Sequence, residues 1–221
     1  MSNLDSAPWV GITGTLVKLA ASQELFSYWN LLRGARSAPE RSQIDPGAIR
    51  GVLADTFILE VNAPKRYPMR ISGARTNALF LRELRGAAFL DLWQAPDQQE
   101  IAAMLSVVAG EAVAVVAGVS AAPGGLRPLE LELLLLPLRH RGDTHSRVLG
   151  ACSPASLPSW IGLAAAAPMR LFSLRVLESV ESATGKQSPS PPGERVDSAV
   201  FSRAPEVDRR GHLFIFTNAH R

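Results

Sequence analysis

The residues of this chain that could do chemistry are few and far apart. There is one cysteine, Cys152, set in an apolar run. A reactive thiolate needs an accessible, electropositive setting. Arg147, five positions earlier on the same extended segment, would project from the opposite face. A small buried hydrophobe is the plainer expectation for Cys152. His140 and His145 flank the Gly142-Asp143 turn, but their spacing is not that of two metal ligands one helical turn apart. They are expected as solvent-exposed turn residues, as are His212 and His220 near the end, and no metal is expected. Gly118-Val119-Ser120 opens like a nucleophile elbow, yet position 122 is Ala and a turn follows instead of a helix. No glycine-rich loop precedes a helix to cradle a phosphate. The chain is therefore expected not to be an enzyme.

The totals agree. A length of 221 residues suggests one main domain with some extra chain. Hydrophobic residues at 47% and charged residues at 19% are the balance of a globular protein. The net charge is only +3 although the pI is 9.5, because the basic residues are nearly all Arg, which does not titrate usefully. No basic run is interleaved with aromatics, so nucleic acid is not an expected partner. A single cysteine excludes an intramolecular disulfide and suits a reducing compartment. The apolar stretch 161–168 is far short of the roughly 20 residues a membrane helix needs. Residues 1–10 lack the basic and then apolar pattern of a secretion signal. The expectation is a cytoplasmic protein without a membrane partner.

The elements that would position these residues follow from periodicity. Residues 15–33 place Leu25, Trp29 and Leu32 at i, i+4 and i+7, one stripe of a helix that Gly34 stops. Asp45-Pro46 reads as a helix start, with Ile49, Val52 and Leu53 facing inward. Phe57, Leu59 and Val61 alternate with Ile58 and Glu60, and Tyr67, Met69 and Ile71 alternate with Pro68, Arg70 and Ser72. These form a hairpin across residues 62–66, with Pro68 favouring an edge strand. Leu79, Phe80 and Leu84 mark a helical patch, and Phe89, Leu92 and Trp93 a short apolar element. Asp97 and Glu100 make a capping pair ahead of a helix carrying Ile101, Met104, Leu105 and Val108. Three more strands are expected at 112–121, 129–135 and 147–152, separated by turns at Pro123-Gly124-Gly125 and Arg141-Gly142-Asp143. This is an α+β fold: five strands in one antiparallel sheet, helices on one face, and a place for a ligand between them. Residues 1–14 are expected to be loose and 15–176 to form the domain. Residues 177–221 are expected to be a linker and a largely disordered, flexible tail. Ser, Pro and Gly fill 182–194, and Leu213 to Phe216 are the apolar exception in the tail.

That order of elements, and several strings within it, resemble one family. The strings are Tyr28-Trp29-x-x-Leu32-Arg33-Gly34, Ile44-Asp45-Pro46 with Ile49-Arg50, and Gly73-x-Arg75-x-x-x-Leu79-Phe80-x-Arg82-Glu83-Leu84-x-Gly86-x-x-Phe89-x-x-Leu92-Trp93. They are similar to the stand-alone PAS-domain proteins of alphaproteobacteria, the PAS_5 family, formerly a domain of unknown function. Leu133-Leu134-Leu135-Leu136-Pro137-Leu138-Arg139 and His212-Leu213-Phe214 match as well. The resemblance covers about 26–176. Ala74, Asn77 and Leu81 depart from it, since the family often has Thr, Cys and Gly there. The resemblance implies a PAS-like five-stranded sheet and a role in signal perception or protein interaction, and supplies no ligand. Haem-binding PAS domains use an axial His on the long helix, and 97–110 contains none. Flavin photosensors use an Asn-Cys-Arg string, and Asn77 lacks those neighbours. Neither cofactor is expected.

Two sets of candidates follow. Phe57, Leu59, Met69, Ile71, Asn77, Phe80, Phe89, Trp93, Met104, Val113, Val115 and Leu133 would line a pocket for a small apolar ligand, or simply fill a core. Phe26 and Trp29 would pair with a second copy of the chain, or fold over their own sheet. Arg75 and Arg82, beside Glu83, would form an ion pair or a partner surface, and Phe214 and Phe216 would offer an apolar contact. The functional expectation is a sensory or regulatory protein in signal transduction, acting on a signalling protein by ligand-modulated or direct protein–protein interaction. The alternative is a constitutive adaptor with a filled core.

Overall fold

The computed structural model describes residues 17–61 and 66–177, together with the backbone of 207–210 and 213–216. The expectations for 1–14, for Pro64 in the first hairpin, for 182–194 and for His212 and His220 lie outside those residues. One antiparallel sheet organises the chain. Its first five strands are β1 (Thr56–Glu60), β2 (Met69–Ser72), β3 (Ala114–Ala121), β4 (Leu129–His140) and β5 (Asp143–Pro154). A sixth, β6 (Arg170–Leu177), corrects the expectation of five. The order across the sheet is β2-β1-β5-β4-β3-β6, with β2 at an edge as Pro68 required. The sheet extends past β6 to a short hairpin, β7 (Val207–Arg210) and β8 (Leu213–Phe216), with Leu174 of β6 paired to Phe216 and Arg175 to Ile215.

Both faces of the sheet are covered, which corrects the expectation of helices on one face. Phe57, Leu59, Met69, Val115, Val119, Leu133 and Leu135 point to one side. There they meet helix α2 (Ala74–Phe80), the 3-10 turn Phe89–Leu92 and helix α3 (Gln98–Gly110). As the spacing predicts, α3 buries Ile101, Met104, Leu105 and Val108. Ile58, Val116, Leu134, Leu136, Leu138 and Leu149 point to the other side, under helix α1 (Ala20–Arg33) and residues 38–52. The unbroken Leu133–Leu136 run belongs to a strand buried on both faces. Gly150 faces the Phe57 ring so closely that a Cβ there would collide with it.

Helix α1 starts at Ala20, not near 15, because a residue from elsewhere caps it. Leu19 offers no side-chain cap. Instead the Glu132 carboxylate, projecting from the middle of β4, accepts from Lys18 N at 2.9 Å and Leu19 N at 3.0 Å. The helix predicted at Asp45-Pro46 does not form. Asp45 Oδ1 accepts from Gly47 N at 2.8 Å, and 46–52 runs as turns before the short 3-10 helix Leu53–Asp55. Ile49 and Val52 are buried as predicted, but Leu53 is 38% exposed. The D-x-x-E capping pair also fails, because Asp97 turns away to accept from Leu171 N on β6 at 3.0 Å.

Candidate functional site

The layer under α3, where the sequence allowed either a pocket for a small ligand or a filled core, is packed with side chains. Trp93, Phe57, Phe89, Leu59, Met69, Ile101, Leu105 and Leu133 are each less than 2% exposed. Phe89 lies 5.3 Å from Phe57 and 5.8 Å edge-on from Trp93, centroid to centroid. Phe80, Met104 and Val115 complete the same cluster. Three candidates do not join it. A bulge between Ile58 and Leu59 shifts the β1–β2 pairing by one residue, so Met69 pairs with Leu59 while Ile71 pairs with Ile58. Ile71 therefore sits 43% exposed on the opposite face. Asn77 is a clasp: Nδ2 donates to Glu83 Oε2 at 3.1 Å and Oδ1 accepts from Leu84 N at 3.2 Å, which closes the loop after α2. Val113 precedes β3 and is only half-buried. One polar atom inside the cluster is unsatisfied, the buried Trp93 Nε1.

The residues singled out for interaction separate in the same way. Trp29 is buried on its own sheet, donating from Nε1 to Pro137 O at 2.9 Å, and Phe26 stacks on it at 6.0 Å. Arg75 pairs with the buried Asp55 at 2.6 Å, so this motif arginine locks α2 to the strand start. Burial pushes the Asp55 carboxyl above its ordinary pKa. Arg75 opposes that shift, and Ser153 nearby does so more weakly. Asp55 Oδ1 and Ser153 Oγ nevertheless have no hydrogen bond formed. Arg82 remains exposed. Phe214 and Phe216 stand on β8, whose side chains lie outside the described residues.

Neither turn histidine is solvent-exposed as expected. His140 is half-buried, and His145 Nε2 lies 3.0 Å from Ser37 Oγ. Burial, and then the Arg139 charge, lower the pKa of His145. Among the described residues no three His, Cys, Asp or Glu side chains gather as a metal site. The Cys152 thiol is buried, and desolvation with the nearby Asp55 charge pushes its pKa up to about 12. It is the inert hydrophobe the sequence suggested.

Among the described residues, two open clefts outside the core stand out, both on the α1 side of the sheet. One, of about 220 Å³, sits over β3, β4 and β6 and is edged by Lys18, Glu130, Glu132 and Arg175. Its aromatic wall is Phe172, 57% exposed, whose ring lies over Gly118, where a Cβ would clash at 2.5 Å. Ser173 Oγ accepts from Gly118 N at 3.1 Å. The other cleft, of about 400 Å³, lies at the β2 edge and is lined by arginines over Ile58 and Ile71. Neither was legible as a site, because each joins residues from four or more separate segments.

An antiparallel sheet entered from a helical segment, with α2, a 3-10 turn and a long helix across one face, fits the architecture of a PAS domain. The PAS_5 model, described as a PAS domain, matches residues 17–153, and the chain belongs to that family. The matched span ends before β6. No curated protein and no solved structure matches the chain. PAS domains serve in general as sensory or interaction modules. Among the described residues no helix is long and apolar enough to cross a membrane.

Proposed function

We propose that this PAS module regulates by binding a partner protein through the open patch over β3, β4 and β6, with its interior kept full by its own side chains. The filled layer under α3 carries the reading, because a packed core of this kind leaves the surface as the place where information is exchanged. The patch has the chemistry of a contact site. An exposed aromatic anchor, Phe172, is flanked by Arg175, Lys18 and Glu130. The module does this without catalysing a reaction, in a reducing compartment that suits its lone buried cysteine.

A pull-down from the host with parent protein and with Phe172→Ala tests the proposal, with circular dichroism as the control for folding. Loss of specific partners from a folded variant is expected. The same partners at the same yield would remove the patch from the account. A second reading, a sensor whose ligand reaches the interior, draws on one observation, the buried and unpartnered Trp93 Nε1. Such a ligand would need a hydrogen-bond acceptor at that nitrogen.

A further inference from the structure

We propose that the cleft at the β2 edge binds a nucleotide-sized phosphorylated anion. Its wall brings Arg41, Arg70, Arg141, Arg147 and the His140 imidazole around about 400 Å³, against one lining carboxylate, Glu40. That carboxylate is already paired with Arg139 at 3.6 Å. Glu60 pairs with Arg147 at 3.3 Å and also with Arg70, and so fixes two guanidinium groups at the rim. Arg41 and Arg141 make no ion pair among the described residues. The cleft is left with an excess of positive charge on planar forks, the geometry that grips a phosphate through two parallel N–H bonds.

Two further features define the ligand. Arg141 occupies the first position of the Arg141-Gly142 turn at φ 58°, a left-handed conformation where Asn, Asp or Gly is the usual choice. A long cation is thus held at a strained position over the cleft. The floor is apolar, formed by the buried Ile58 and the 43% exposed Ile71, and offers a hydrophobic contact for a base. Inorganic phosphate alone would leave that floor unused. The site lies toward the opposite sheet edge from Phe172 and stands independently of the partner patch.

Isothermal titration calorimetry on the full chain tests this, with adenosine diphosphate, guanosine diphosphate and inorganic pyrophosphate titrated separately. Saturable binding of at least one nucleotide, tenfold or more tighter than pyrophosphate, is expected. Arg41→Gln should weaken it at least tenfold. So should Arg141→Asn, which suits the turn better than the native residue. Arg82→Gln, outside the cleft, should leave the affinity unchanged. Absence of saturable heat with every probe would overturn the proposal. So would pyrophosphate binding as tightly as the nucleotides, or an equal loss in Arg82→Gln.

Discussion

Trp29 and Trp93 are both almost fully buried and differ in one hydrogen bond. Trp29 Nε1 donates to Pro137 O, whereas Trp93 Nε1 finds no acceptor among the described residues. Trp29→Phe removes a bond and leaves a buried carbonyl short of a partner, while Trp93→Phe removes only ring volume and an unpaired donor. Trp29→Phe should therefore cost about 1–2 kcal/mol more in chemical denaturation. Equal costs would mean that something does accept from Trp93, in favour of an interior ligand. Cys152 makes a second prediction. Its thiol pKa rises from 9.0 to about 12 on folding. The folded state holds this proton more tightly, so the contribution to stability is present below pH 9 and is lost as pH rises toward 12. Cys152→Ala should flatten the alkaline fall in stability relative to the parent. A thiol reagent at neutral pH should label Cys152 only on unfolding, and fast labelling of the native protein would contradict its burial.

At the scale of elements, two buried carboxylates do joining work. Asp55 ties α2 to the start of β1 through Arg75, and Glu132 ties the start of α1 to β4. Removing one partner of a buried pair strands the other charge, so Arg75→Ala should cost about 3 kcal/mol or more at neutral pH. The pKa of Asp55 is already raised from 3.8, and losing Arg75 raises it further. A raised carboxyl contributes stability that is present below 3.8 and lost as pH rises through the folded value. The deficit of Arg75→Ala should therefore shrink as pH falls toward 4, and a deficit constant with pH would refute this role. Glu132→Ala should loosen the start of α1 and cost about 1–2 kcal/mol, as a lost cap does. Amide exchange at 18–23 would show it.

These elements also mark where the sequence was legible. The α3 stripe was plain because periodicity reports burial on one face directly. The second covered face was present in the Leu134, Leu136 and Leu138 set, yet alternation with Glu130 and Glu132 pointed to a solvated side. Glu132 is in fact buried, its charge consumed by a helix start 113 residues away in sequence. Ile71 was misplaced because a single bulged residue reverses every later side chain, and bulges leave no mark in composition. The Asx turn at Asp45 and the β6 contact of Asp97 used good capping residues for other bonds.

For the whole molecule, the family and most of the sheet could be read from strings and spacing, and neither cleft could. The cationic cleft depends on Arg41, Arg70, Arg141 and Arg147 meeting through tertiary packing, and the Phe172 patch on a strand, β6, that the sequence did not announce. The central claim is that the layer between sheet and α3 is full. An electron-density map of protein purified from its own host tests this most directly. The account predicts protein side chains throughout that layer, with at most a single water at Trp93 Nε1. Continuous density for an organic molecule between α3 and β3–β4 would contradict it.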